Sequence, residues 1–125
     1  MMPNLERIDW MPSPPLVPDD TPVDRTHLSR MTLGDAALER EVLVLFERQS
    51  DKLLARLADM PADAAALAHT LKGSARAIGA FAVADAADAL ECAVHGHRPH
   101  GEPLRLLKRA LEQARDAIGV LLRTS

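Results

Sequence analysis

PLRLLKRALEQARDAIGVLLR, residues 103–123, carries the clearest hydrophobic pattern in the chain. Its apolar residues recur at steps of three and four, the spacing that places side chains on one face of an α-helix. These residues are Leu104, Leu107, Leu111, Ala114, Ile118 and Leu121. Because the other positions are mostly charged or polar, the segment predicts an amphipathic helix that buries one face against other helices.

The composition of the whole chain agrees with a helical protein. The 125 residues are 47% hydrophobic, yet they include no Tyr, two Phe and one Trp. A β-sandwich or barrel is usually richer in aromatic and β-branched residues, whereas Ala and Leu favour helices. The length is that of one domain.

Two aspartates mark the starts of the first two helices. Asp24 can cap a short helix that ends at about Met31 and turns Leu28 and Met31 inward. Asp35 can cap a second helix, which runs to about Ala58. The expected buried face of this second helix consists of Leu38, Val42, Leu45, Phe46, Gln49, Leu53 and Leu57.

The third and fourth helices are separated by a glycine. The third helix is expected to begin at Met60-Pro61, since proline is tolerated in a first turn, and to end at Gly79 in a left-handed cap. The fourth covers about residues 81–94. Four long amphipathic helices with short connections predict an all-α fold, an up-down antiparallel four-helix bundle with a short extra N-terminal helix.

Proline is concentrated at the start of the chain, where six of the nine prolines lie within the first 22 residues. Proline disfavours helix at its own and the preceding position. We therefore expect a proline-rich N-terminal tail over residues 1–23 and the bundle over residues 24–125. Trp10 could pin the tail onto the bundle, although an extended arm is the simpler interpretation.

Charge and cysteine content exclude several classes of protein. The net charge is −3 and no basic run is present, so the sequence gives no indication of nucleic-acid binding. The single cysteine, Cys92, excludes an internal disulfide and a cysteine-based zinc site. No membrane span or secretory signal is visible. We expect a cytoplasmic protein, monomeric because five helices can close around one core.

His69 lies on the side of the third helix that faces away from the predicted core. At about 100° per residue, Leu67, Leu71 and Ile78 fall on the opposite side. The face of the histidine carries small or cationic residues, namely Ala62, Ala65, Ala66, Lys72, Gly73 and Arg76. A glycine within a helix costs about 0.5–1 kcal/mol relative to alanine. Such a bare face around an exposed imidazole indicates a docking surface.

The run His69-Thr70-Leu71-Lys72-Gly73-Ser74-Ala75, followed by Gly79, resembles the signature of histidine-containing phosphotransfer (HPt) domains. The similarity extends to Leu33-Gly34-Asp35 before the second helix and to Leu90-Glu91 in the fourth. In this family the motif histidine takes a phosphoryl group from an aspartyl phosphate on a receiver domain. It then passes the group to the aspartate of another receiver.

The resemblance implies a role for each residue of the motif. His69 would be the phosphoacceptor in its neutral form, Lys72 would stabilise the charge of the phosphohistidine, and Gly73 would give the receiver access. The receiver-docking face would consist of Ala62, Ala65, Ala66, Thr70 and Arg76, although Arg76 could equally be a solvated arginine. The partners would be receiver domains of response regulators or of a hybrid histidine kinase.

The chemistry expected of the chain itself is limited to carrying the phosphoryl group. No carboxylate cluster stands beside His69 in the sequence, so Mg²⁺ is expected on the partner receiver and no cofactor on this chain. No glycine-rich phosphate loop is present. We therefore expect a phosphorelay intermediate without an ATP site of its own.

Three other interpretations stay open at this level. His95, His97 and His100 lie close together in the loop before the last helix, and clustered histidines can bind metal ions. A helical adaptor could bind receivers through the same face without relaying phosphate. The phosphoacceptor module of a chemotaxis-type kinase carries a similar motif, although the absence of dimerisation and ATP-binding segments favours a free-standing intermediate.

Overall fold

The structure is a computed structural model that describes residues 21–124. Within these residues the chain forms helices and no strand. The helices are α1 (Arg25–Met31), α2 (Ala36–Leu57), α3 (Ala64–Ile78), α4 (Phe81–His95) and α5 (Gly101–Thr124). The prediction of an all-α fold with a short helix before four long ones is confirmed.

The four long helices form a closed antiparallel bundle. α3 packs against α2 and α4, and α5 completes the ring by contacting both α4 and α2. The guanidinium of Arg40 in α2 donates a 2.8 Å hydrogen bond to the carbonyl of Leu122, which places the start of α2 beside the end of α5. α1 lies against α3. The up-down topology predicted from the short connections is therefore confirmed.

The three predicted helix caps are present. Asp24 accepts a 3.0 Å hydrogen bond from the backbone N–H of His27, and Asp35 accepts one of the same length from Leu38. Gly79 ends α3 in the left-handed conformation, with a φ of 83°. Its carbonyl accepts a 2.9 Å hydrogen bond from the N–H of Asp24, which ties α1 to the end of α3.

A side chain at Gly79 would disturb this junction. A Cβ built on Gly79 would lie 2.8 Å from the carbonyl oxygen of Asp24, closer than ordinary packing allows. Both the left-handed backbone and the close approach of α1 therefore require glycine at this position.

The core is built from leucine and alanine rather than from aromatic residues. Leu71, Leu90, Leu107 and Ile118 are fully buried, one or more on each of α3, α4 and α5. Alanines fill the space between them, with Ala68, Ala75, Ala80, Ala87 and Ala114 also fully buried. Small side chains let neighbouring helices approach closely, which explains how the core can be filled with so few aromatic residues.

The predicted buried residues of the first two helices are partly wrong. Met31, Leu38, Leu45 and Gln49 are exposed. The buried side of α2 instead consists of Leu43, Phe46, Ser50, Leu53 and Leu57, at uninterrupted steps of three and four. Residues 42–46 are all apolar, so more than one face of α2 could have been buried. The face that the bundle buries is the one that includes Ser50, whose hydroxyl donates to the carbonyl of Glu47.

α3 begins later than its sequence predicts. Met60 has a φ of 45°, and the N–H of Ala64 donates to the carbonyl of Pro61, so residues 61–63 form a turn before the helix. Asp63 is the N-cap residue, but its carboxylate pairs with Arg56 rather than with the helix. Ala62 consequently lies in the turn and not on α3, where a helical face was expected for it.

The sequence also predicts a proline-rich N-terminal tail and no membrane-spanning helix. The predicted tail falls mainly on residues 1–20, which lie outside the described residues, and its boundary at residue 23 stays a prediction. Among the helices of residues 21–124, none has the length and hydropathy of a membrane-spanning segment.

Candidate functional site

The side chain of His69 projects from the middle of α3 into solvent. Leu67, Leu71 and Ala75 are buried, and they fix which side of α3 faces the core. His69 lies on the opposite side, and its side chain is 67% exposed. The orientation predicted for this helix is confirmed, and it presents the imidazole at the surface.

One nitrogen of the imidazole is held by a carboxylate from the neighbouring helix. Nδ1 of His69 lies 3.2 Å from Oε2 and 3.3 Å from Oε1 of Glu91 in α4. An ionised carboxylate can only accept hydrogen bonds, so Nδ1 must carry the proton in this pair. In the neutral ring the lone pair is then on Nε2, which is the nitrogen able to act as a nucleophile.

Lys72 connects this carboxylate to a second one. Its Nζ lies 2.9 Å from Oε1 of Glu91 and 3.0 Å from Oδ1 of Asp88, both on α4. The side chains of Lys72 and Glu91 are largely covered, at 15% and 16% exposure. The expectation that no carboxylate cluster stands beside His69 was therefore wrong, because α4 brings two carboxylates to α3.

These contacts stabilise the charged forms of Lys72, Glu91 and Asp88. The hydrogen bond with Glu91, followed by that with Asp88, raises the pKa of Lys72. The hydrogen bond from Lys72 lowers the pKa of Glu91, against the opposing effect of its burial. Hydrogen bonding from Lys72 also lowers the pKa of Asp88. The site therefore contains one ammonium and two carboxylates that stay ionised at neutral pH.

Replacing Lys72 by methionine should raise the pKa of Glu91, because its principal hydrogen-bond donor is lost. The lowered pKa means that Glu91 contributes stability above the unfolded pKa of about 4.5 and loses it as the pH falls through the folded value. The variant should accordingly lose less stability on acidification than the wild type. Carbon NMR of the Glu91 carboxyl group, together with urea unfolding at several pH values, measures both effects.

The matched control for this titration is Lys108→Met, which removes an exposed lysine from α5. It should leave the titration of Glu91 unchanged. An unaltered pKa of Glu91 in Lys72→Met would contradict the assignment of Lys72 as its main partner.

Gly73 lies one turn after His69 on an open part of the surface. A Cβ at this position would meet no atom within 4 Å. Ala66 is likewise exposed beside the histidine. Packing within the described chain therefore does not require glycine at position 73. We interpret the glycine as leaving room for another molecule to approach His69.

The other predicted docking residues have different surroundings. Thr70 is exposed, and its hydroxyl donates a 3.1 Å hydrogen bond to the carbonyl of Ala66. Arg76 is exposed and lies near enough to lower the pKa of Asp88 by its charge. Ala65 is partly buried. The helix brings Ala66, Thr70 and Arg76 to the side that carries His69, whereas Ala62 lies in the preceding turn.

Sequence reasoning missed the contacts that two residues on α4 make with His69 and Lys72. Glu91 was included in the family resemblance without a role, and Asp88 was not identified at all. Their spacing of three places them on one side of a helix, which is a signal that the sequence does contain. Their pairing with α3 depends on how the two helices are aligned, and a single sequence does not specify that alignment.

The histidines that suggested a metal site are not assembled into one. Nε2 of His95 lies 3.8 Å from Oε2 of Glu91, one turn earlier on α4. In the part of the chain that the structure describes, no three His, Cys, Asp or Glu side chains are placed to hold a metal ion. The metal-binding interpretation of the loop therefore has no structural support.

Fold and site together define a class of protein, a helical bundle that presents an exposed imidazole beside an ion-paired lysine. Within that class the chain belongs to the Hpt domain family, because the family model described as Hpt domain matches residues 41–117, more than half of the chain. The matched range includes His69, Lys72 and Glu91. No curated protein and no solved structure matches the chain.

Membership of this family confirms the resemblance seen in the sequence. It implies that the chain takes part in histidine phosphotransfer within two-component phosphorelays, in which Hpt domains interact with receiver domains and kinases. Domains of this family carry phosphoryl groups and have no kinase or ATP site of their own.

Proposed function

We propose that the chain is a phosphorelay intermediate that accepts a phosphoryl group on Nε2 of His69 and passes it to a second receiver. The observation that supports this most directly is the pairing of the exposed His69 ring with Glu91 through Nδ1. In a neutral ring, that hydrogen bond leaves the lone pair on Nε2. Nε2 therefore needs no other group to remove a proton before it attacks phosphorus.

The transfer step follows from this arrangement. Nε2 attacks the phosphorus of the receiver's aspartyl phosphate, the Nε2–P bond forms, and the P–O bond to the aspartate breaks as its carboxylate leaves. Positive charge develops on the imidazole during the attack, and the carboxylate of Glu91, in contact with Nδ1, stabilises that charge. The reverse sequence at a second receiver returns the ring to its neutral form.

The phosphoryl group itself requires positive charge, which Lys72 is placed to provide from the next turn of α3. Mg²⁺ and the remaining electrostatic stabilisation belong, in our proposal, to the receiver. This chain then needs no cofactor of its own. We further propose that it acts in the cytoplasm as a monomer.

The receiver is proposed to dock on the side of α3 that carries His69. Exposed Ala66 and Gly73 leave the ring accessible there, and Thr70 and Arg76 provide polar contacts at the edges. Ala62 and Ala65 would contribute near the start of the helix. The receivers would belong to response regulators or to a hybrid histidine kinase.

The test is transfer from a receiver that carries radiolabelled aspartyl phosphate, in the presence of Mg²⁺. The proposal predicts label on this chain that survives base and is lost in acid, as a phosphohistidine is, and that maps to a peptide of α3. Receivers that form a complex with the chain but never transfer label would instead support the adaptor interpretation.

Gly73→Glu should block transfer from a receiver while the bundle stays folded. A Cβ at the exposed Gly73 meets no atom within 4 Å, so the substitution should leave packing within the chain undisturbed. A carboxylate there opposes the acidic active site of a receiver, and like charges brought together across an interface cost several kcal/mol. Transfer should slow by more than about tenfold. Transfer rates and thermal unfolding measure the two effects.

Gly101→Glu provides the matched control, because Gly101 at the start of α5 also has no atom within 4 Å of an added Cβ. It should transfer like the wild type. Normal transfer by Gly73→Glu would place the receiver on another surface.

A further inference from the structure

We propose that Asp88 competes with the phosphoryl group on His69 for the ammonium of Lys72, and so determines how firmly the chain retains that group. The inference rests on the proposed function. Asp88 lies on α4 and would not touch the transferred group. It would act as a positioning residue, through Lys72.

Lys72 has a limited capacity for hydrogen bonds. An ammonium has three N–H donors and no acceptor. Glu91 and Asp88 each lie within 3.0 Å of Nζ and occupy two of these donors. A phosphoryl group on Nε2 of His69 would therefore meet a lysine with one donor left, unless one carboxylate releases it.

The two carboxylates hold Lys72 unequally. Glu91 is only 16% exposed, contacts both Lys72 and His69, and gives the largest contribution to the raised pKa of Lys72. Asp88 is 48% exposed and bonds Lys72 in a more solvated position. Water weakens an ion pair at such a position. Asp88 is thus the partner that Lys72 can exchange for phosphate at the lower cost.

Asp88 also affects the charge around the phosphorylated ring. The hydrogen bond and charge of Lys72 and the charge of Arg76 lower the pKa of Asp88, so part of their positive field already acts on that carboxylate. A phosphoryl group adds negative charge beside Glu91 and Asp88. Replacing Asp88 by asparagine removes a repelling charge and weakens the competing hold on Lys72. Both changes favour the phosphorylated state.

The experiment uses the full chain and phosphoramidate as a small phosphoryl donor, so that no receiver is needed. Nε2 of His69 attacks phosphorus, the P–N bond of the donor breaks, and ammonia leaves. After removal of the donor, phosphorus NMR and intact mass follow the loss of phosphohistidine with time. Asp88→Asn should lengthen its half-life about two- to fivefold, the range expected for one exposed charge pair.

Two further variants separate this mechanism from a general structural effect. Asp85→Asn removes an exposed aspartate three residues earlier on α4 and should keep the wild-type half-life. In a Lys72→Gln background the effect of Asp88→Asn should shrink to the part that comes from removing one repelling charge, because the ammonium competed for is absent. A structural effect of the substitution would persist undiminished in that background.

The possible outcomes distinguish the inference from the proposed function. A wild-type chain that phosphoramidate never labels on His69 would overturn both. A labelled wild type whose half-life is unchanged or shortened by Asp88→Asn would overturn the role of Asp88 alone. A longer half-life that persists undiminished in the Lys72→Gln background would also overturn the role of Asp88 alone.

Discussion

The variant His69→Gln should accept no detectable phosphoryl group from any receiver, while its bundle stays folded. The amide nitrogen of glutamine is not a nucleophile, so the Nε2–P bond has no counterpart. The side chain of His69 is 67% exposed, and its replacement leaves the core untouched. Glutamine can still donate a hydrogen bond to Glu91. Radiolabel transfer and thermal unfolding, measured side by side with the wild type, check both expectations.

The same variant distinguishes phosphoryl transfer from binding of the receiver. Its Kd for a receiver should stay within a few-fold of the wild-type value, since the surface of α3 is otherwise unchanged. The matched control is His95→Gln, which alters an exposed histidine one turn beyond Glu91 and should transfer normally. Label that persists on His69→Gln would mean that another histidine accepts the phosphoryl group.

Leu71→Asp should unfold the bundle. Leu71 is fully buried in the hydrophobic core of the bundle. Removing a buried leucine side chain costs about 2–5 kcal/mol, and the unpaired carboxylate in the core adds several more. The sum approaches the whole stability of a typical domain, about 5–15 kcal/mol. Far-ultraviolet circular dichroism and urea titration should show a largely unfolded chain at neutral pH.

Leu45→Asp is the control for this change, because Leu45 is 54% exposed on α2. Its unfolding free energy should stay within about 0.5 kcal/mol of the wild-type value, as for most surface substitutions. A folded Leu71→Asp would show that the core-facing side of α3 had been misidentified. An unfolded Leu45→Asp would do the same for α2.

The parts of the fold that could be predicted are those that depend on neighbouring residues in the chain. A cap such as Asp24 or Asp35 bonds an N–H three residues away, and the glycine that ends α3 is needed for its own backbone. The face of α3 was predictable because its large apolar residues lie on one side only. Exposure of His69 followed from that face.

The parts that could not be predicted depend on contacts between helices. The run of apolar residues at 42–46 permits several buried faces, and only packing against α3 and α5 selects one. Glu91 contacts His69 across 22 positions of sequence. Asp88 reaches Lys72 across 16. Contacts between residues so far apart in the sequence leave no local pattern. The places of Glu91 and Asp88 in the site therefore emerged only from the three-dimensional structure.

The helix that carries His69 is held on several sides, since α3 contacts α1, α2 and α4 and its C-cap residue Gly79 is hydrogen-bonded to Asp24. The imidazole is thus presented on a scaffold that is already ordered before a receiver arrives. Little conformational entropy is then lost on docking, and complementarity rather than rearrangement governs the encounter. We expect complexes that form without waiting for a conformational change in this chain. A molecule that serves one partner after another gains turnover when no encounter waits for its own rearrangement.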